Sequence, residues 1–135
     1  MNIDYNDSDK AVRCYRDFVL NPGDRKAVRL FQKTFGQQLM APAKKLHDRL
    51  LAYPTAGEYN SLYGSTDNRI ELKSGVRNND PLILKTRITG AWRKFFNRIL
   101  DEAGNLLLTR DWNGDFCNVS HIYVIATNNH DYNNV

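Results

Sequence analysis

Apolar residues in the first half of the chain recur at intervals of three and four, and in the second half they alternate. Asp7 or Ser8 can cap a helix whose inner face is Val12, Tyr15, Phe18 and Val19. Asn21-Pro22-Gly23-Asp24 then breaks that helix and offers a fresh N-cap, because proline removes a backbone donor and glycine frees φ. From Arg25 onward, Val28, Phe31, Phe35 and Leu39 mark one face of a second helix. Pro42 either kinks it or opens a third segment, in which Leu46, Leu50 and Leu51 continue the stripe. Lys44, Lys45 and Arg49 fall off that stripe and are expected in solvent. Tyr53-Pro54 ends the helical part, since the residue before a proline is pushed out of the α basin.

Residues 55–80 read as a long loop, with Gly57, Gly64, Gly75 and a scatter of Ser, Asn and Asp, and one short strand at Arg69–Lys73. After Pro81 the period falls to two: Leu82, Leu84, Thr86 and Ile88 alternate with Ile83, Lys85, Arg87 and Thr89, as in a half-buried strand. Leu106–Trp112 and Ile122–Thr127 are further strand candidates, the latter rich in β-branched residues. Two readings stand for Ala91–Ala103. Trp92, Phe95, Phe96, Ile99 and Leu100 fit a helix face with Gly104 as its stop, and pattern alone leans that way; the same residues also fit a strand entering a turn. These elements make one α+β domain over 1–135, with a helical part (1–54), a long loop region (55–80) and a sheet region with a polar tail (81–132).

Composition sets the class. At 135 residues and 41% hydrophobic, the chain can bury a single core. No apolar run nears the roughly 20 residues that span a bilayer, so no membrane partner is expected. The opening Met1–Asp7 lacks the basic and apolar stretches of a secretory signal, and a domain of this size needs no disulfide. Cys14 and Cys117 are therefore expected as free thiols, and the expected setting is the cytoplasm. The net charge is +4, but its distribution says more: Arg69 to Arg98 holds eight Lys and Arg against only Glu71 and Asp80.

Several chemistries lack their residues. His47, His121, His130, Cys14 and Cys117 form no pair at metal-ligand spacing, so no metal is expected. No Gly-rich loop follows a strand, so neither nucleotide fingerprint is present and no cofactor is expected. What remains is a basic sheet region followed by His130 and Tyr132. Lys85, Arg87 and Arg93, projecting from neighbouring strands, can converge on a phosphodiester, for which the planar fork of arginine is suited. Histidine titrates nearest neutrality, and tyrosine can orient a phosphate or stack on a base. RNA cleavage by the ribose 2′-hydroxyl then needs only a base, an acid and cations. The bland alternatives are a solvated cationic strand face, a surface His130, a lone Glu71 without a role, and Trp92, Phe95, Phe96 and Trp112 as core.

The segment Leu84-Lys85-Thr86-Arg87-Ile88-Thr89-Gly90-Ala91-Trp92-Arg93, with the closing strand Ile122–Thr127 and the tail Asn128-Asn129-His130-Asp131-Tyr132, resembles the RelE/ParE superfamily of bacterial toxins. The order of a short strand (Asn2–Tyr5), two helices and a sheet is similar as well. The resemblance implies a RelE-like domain, with helices on one face of a curved, mainly antiparallel sheet. It makes the strand reading of Ala91–Ala103 the expected one. In the ribonuclease branch it implies cleavage of mRNA at the ribosome, restrained by a cognate antitoxin. Arg87, Arg93, His130 and Tyr132 would then be catalytic, with Lys85, Lys94 and Arg98 binding RNA. The chain is longer than typical members, through 55–80 and Asp101–Asn118. A gyrase-blocking toxin of the same fold and a non-enzymatic module binding nucleic acid or protein are the alternatives.

Overall fold

A computed structural model describes residues 1–72, 84–89, 92–100 and 115–129. The described chain is α+β. Its strands are β1 (Asn2–Tyr5), β2 (Glu71–Leu72), β3 (Leu84–Arg87), β4 (Trp92–Leu100) and β5 (His121–Asn129). They form one sheet in the order β1-β5-β4-β3-β2. β1 pairs with β5 in parallel, while β2–β3, β3–β4 and β4–β5 are antiparallel. Residues 92–100 take the strand form because β3 and β5 accept their backbone groups on both edges, which outweighs a helix-like side-chain period. The candidate strand Leu106–Trp112 lies outside the described residues.

Helix α1 (Lys10–Leu20) starts one or two residues later than its sequence suggests. The Val12 N–H donates to Asp9 Oδ1 at 2.9 Å, making Asp9 the cap instead of Asp7 or Ser8. Asp7 is occupied by Arg16, and the Ser8 N–H donates to Asn6 Oδ1 at 3.0 Å in a local turn that delays the helix. Asp24 caps α2 (Arg25–Phe35) as read, accepting from Ala27 N–H at 3.0 Å. Gly36, at φ 88°, ends α2, and Leu39 belongs to a 3₁₀ turn (Gln37–Leu39), not to that helix. Pro42 opens the third segment: it lies in the first turn of α3 (Met40–Leu51), where a missing N–H costs no intrahelical bond.

The region read as a loop from residue 55 begins with a helix, and Tyr53-Pro54 separates two helices without ending the helical part. Helix α4 (Ala56–Tyr63) is capped by Thr55, whose Oγ1 accepts from Glu58 N–H at 3.1 Å. The strand expected at Arg69–Lys73 is the two-residue β2.

Core packing follows the helical faces. Val12, Tyr15, Phe18 and Val19 are buried, as are Phe31, Phe35, Leu46 and Leu50. Leu51 is 46% exposed, because a 3.6-residue period turns it away from Leu50. Tyr15, Phe18, Phe31 and Phe35 form one aromatic cluster, with Phe18 and Phe31 centroids 4.5 Å apart. The sheet adds Leu84, Ile88, Ile122 and Val124. Two polar bonds cross this core. The Tyr5 hydroxyl meets His47 Nδ1 at 2.8 Å, and the Tyr15 hydroxyl donates to Ala43 O at 3.2 Å. The Met1 ammonium donates to the carbonyls of Leu50, Leu51 and Tyr53 at the C-terminal end of α3, where the helix dipole is negative.

Both cysteines are free thiols, Cys14 buried and Cys117 exposed. Cys117 sits in a 3₁₀ turn (Phe116–Asn118) that docks on the start of α4, where Ala56 N–H donates to Val119 O at 2.8 Å. A Cβ at Gly57 would lie 2.9 Å from Cys117 Cα and 3.0 Å from its N. Gly57→Ala is therefore expected to destabilise the fold by about 1–3 kcal/mol in urea melts, since backbone must move. Gly23→Ala, with nothing within 4 Å of the new methyl, should stay within about 0.5 kcal/mol of wild type. The Cys117 thiol is pushed up from its ordinary range, first by its hydrogen bond to Asp115 and then by that carboxylate's charge. Less thiolate is thus present at pH 8 than in a free cysteine. Iodoacetamide alkylation of Cys117 should be slower than that of a model peptide, and Asp115→Asn should speed it by moving the pH–rate midpoint down.

Candidate nucleic-acid interface

Along β3 and its exit, Leu84, Thr86 and Ile88 are buried, while Lys85 and Arg87 between them are half-exposed. This is the period-two alternation expected from the sequence. Residues directly opposite each other in an antiparallel pair share a face. Arg87 is opposite Arg93, and Arg93 is opposite Asn128, so two arginines and an asparagine form one row across three strands. Lys85, Phe95 and Ala126 form a parallel row. Lys94 occupies the intervening row with Thr86 and Thr127, both buried. Arg98 lies in the stretch of β4 where the register with β5 shifts, between Asn97 and Leu100. His130 and Tyr132 lie outside the described residues, so the row and the tail are joined only by chain order: β5 ends at Asn129, opposite Trp92.

The β3 cations are not bare. Arg87 Nη1 is 3.0 Å from Asp67 Oδ2. Glu71 lies between Arg69 (3.0 Å) and Lys85 (3.7 Å). Two carboxylates, Asp67 from the connection between α4 and β2 and Glu71 from β2 itself, thus face three cations, and the local excess of positive charge is smaller than the sequence run implies.

That connection is held on β3 by amides and hydroxyls. Asn68 Nδ2 donates to Arg87 O at 2.8 Å, and Asn68 O accepts from Thr86 Oγ1 at 2.6 Å and the Tyr59 hydroxyl at 2.7 Å. Asn60 makes a two-way pair with the Ile70 backbone, both bonds 2.9 Å. Burial pushes the Tyr59 hydroxyl up to about 12, with Arg49 opposing the shift, so Tyr59 stays a donor. Asn60, Asp67 and Asn68 read as plain loop composition in the sequence, and only the Thr55-to-Glu58 spacing could have signalled the helix that positions them.

Arg49 departs from the solvated reading. It is half-buried, with its guanidinium 4.4 Å from the Tyr63 ring centroid. Lys44 pairs with Asp48 at 2.7 Å, and Lys45 is exposed. The described imidazoles lie elsewhere: His47 is buried against Tyr5, and His121 Nε2 is 2.6 Å from Asp4 Oδ2 across β1 and β5.

Among the described residues, no group of three or more His, Cys, Asp or Glu could hold a metal ion, and no helix is long and apolar enough to cross a membrane. No family model matches the chain, and neither the curated proteins nor the solved structures contain a match.

Asp67 competes with any anion for Arg87. An exposed pair of this kind is worth about 0.2–1 kcal/mol. Asp67→Asn should raise affinity for single-stranded RNA by up to about fivefold at low salt, as read by fluorescence anisotropy. At high ionic strength the gain should vanish through screening.

Proposed function

We propose that the chain is a metal-independent endoribonuclease acting on mRNA, of the RelE/ParE toxin type, at the ribosome and under the control of a cognate antitoxin. The observation that carries the reading is the cross-strand row Arg87, Arg93 and Asn128, whose third member precedes His130 by two residues. Like charges directly opposed in a sheet are unfavourable; Asp67 offsets Arg87 in part, and a phosphodiester between the two arginines would remove the rest of the penalty.

In this reading Arg87 and Arg93 take the non-bridging phosphate oxygens, with Lys85 and Arg98 along the strand of RNA, while Lys94, in the row of the buried Thr86 and Thr127, falls on the other face of the sheet and is left out of the contact. A base removes the proton from the ribose 2′-hydroxyl, the 2′-oxygen bonds to phosphorus, and the bond to the 5′-oxygen breaks. His130 supplies the proton that the leaving 5′-oxygen takes up, and Tyr132 orients the phosphate. The products are a 2′,3′-cyclic phosphate and a 5′-hydroxyl. No electrons change hands and no metal is required.

A second reading, a nucleic-acid-binding module without catalysis, is favoured by one observation. Both described imidazoles are engaged away from the arginine row, His47 with Tyr5 and His121 with Asp4. Cleavage of mRNA by purified protein in EDTA separates the two. The nuclease reading expects new 5′ ends by primer extension and a rate lowered about 10²–10⁴-fold in His130→Ala. Steeply salt-dependent binding with intact RNA would establish the binding module instead. Growth arrest with uncut mRNA and inhibited gyrase supercoiling would replace both with a gyrase-blocking toxin.

A further inference from the structure

A second cationic feature lies on the opposite face of β3 from the arginine row. Residues Ala41, Pro42, Lys45, Leu46 and Arg49 of α3 line a groove of about 330 Å³ whose other wall is Asn68 and Ile88. Burial alternates along β3 through Ile88, so Ile88 and Arg87 face opposite ways. Lys45 and Arg49 are one helical turn apart, an arrangement that is repulsive unless something negative lies between them.

Nothing described supplies that negative charge. Neither Lys45 nor Arg49 has a carboxylate within ion-pair distance among the described residues, whereas the neighbouring Lys44 has Asp48. Arg49 is instead held from behind by Tyr63, itself packed on Tyr59 with centroids 4.8 Å apart. A guanidinium fixed by stacking keeps its planar fork available to an anion. Asn68 is also fixed: the group facing the Arg87 carbonyl must be its amide nitrogen, which leaves Oδ1 as an acceptor with no partner among the described residues.

We infer that this groove binds the phosphate of a nucleotide. Lys45 and Arg49 take the phosphate oxygens, Asn68 Oδ1 accepts from a ribose hydroxyl or a base N–H, and Pro42, Leu46 and Ile88 offer carbon surface to the sugar or base. The volume lies at the lower end of the range for small-ligand sites. An anionic side chain of a peptide matches the cations but not the acceptor placed beside a carbon wall. The inference is independent of RNA cleavage.

The test is NMR titration of ¹⁵N-labelled protein with AMP, a short oligoribonucleotide, inorganic phosphate and a hexaglutamate peptide. AMP, the oligoribonucleotide or both should shift the backbone amides of Ala41, of Ala43 to Arg49, and of Asn68. AMP alone identifies a free nucleotide as the source, and the oligoribonucleotide alone identifies a strand. Lys45→Gln and Arg49→Gln should each weaken binding by about tenfold, and Arg87→Gln should leave AMP binding at the groove as it was. Lys45 is exposed with no described partner, so Lys45→Gln decides the matter if Arg49→Gln fails to fold. Shifts confined to the Arg87 row, no shift at all, or equal binding of inorganic phosphate or hexaglutamate would overturn the assignment. Cleavage activity is read separately, so loss of the nuclease reading leaves this result intact.

Discussion

Strand β5 is hydrogen-bonded on both edges, to β1 in parallel and to β4 antiparallel, and this pairing joins the two ends of the chain. A parallel pair cannot be closed by a tight turn, so its connection must cross over. Here the whole run of helices and the other three strands lies between β1 and β5. Helix α1 packs on β5 as well, with Val12, Tyr15 and Val19 in the same buried cluster as Ile122 and Val124. The register of β4 on β5 then fixes where Arg93 falls, and the register of β3 on β4 fixes Arg87 against it. A one-residue slip of β3 on β4 would send the two arginines to opposite faces, and a slip of β4 on β5 would part Arg93 from Asn128.

Much of the helical half can be read from the sequence because its signals are local. Pro22-Gly23-Asp24 breaks and caps within four residues, and the stripes of α1 and α2 need no knowledge of what they pack against. Two features escaped for different reasons, and a third runs against its local pattern. The cap of α1 moved from Asp7 or Ser8 to Asp9 because a turn around Asn6 and an ion pair to Arg16 compete locally. Helix α4 was hidden by Gly57, a residue poor for helices that is suited there because a Cβ would run into the backbone of Cys117, from far along the chain. Residues 92–100 carry a helical side-chain period, yet strands on both sides satisfy the backbone in the extended form. In that case a resemblance of order and motif led to the strand where periodicity did not.

The candidate interface was legible in part. Alternation along Leu84–Ile88 placed Lys85 and Arg87 off the core, as the burial pattern bears out. The charge run, however, overstated the field. Asp67 and Glu71 return to β3 because Asn60 and Asn68 lash their segment to the strand, and nothing in the linear order announces that fold-back. Sequence charge counts residues, whereas binding depends on which cations an incoming anion can reach without displacing another.

That distinction separates the two cationic features of the molecule. At Arg87 an incoming phosphate exchanges with Asp67, an exposed carboxylate whose own hydration is easily restored, so the exchange costs little and is sensitive to salt. At Arg49 no described carboxylate must leave, and the aromatic ring behind the guanidinium holds it without neutralising it. The first arrangement suits a long polyanion that replaces many weak contacts at once. The second suits a compact anion held at one place, where ordering of the cation before binding reduces the entropy lost on association. Two faces of one strand exit, separated by the alternation from Arg87 to Ile88, thus carry cations held in two different ways.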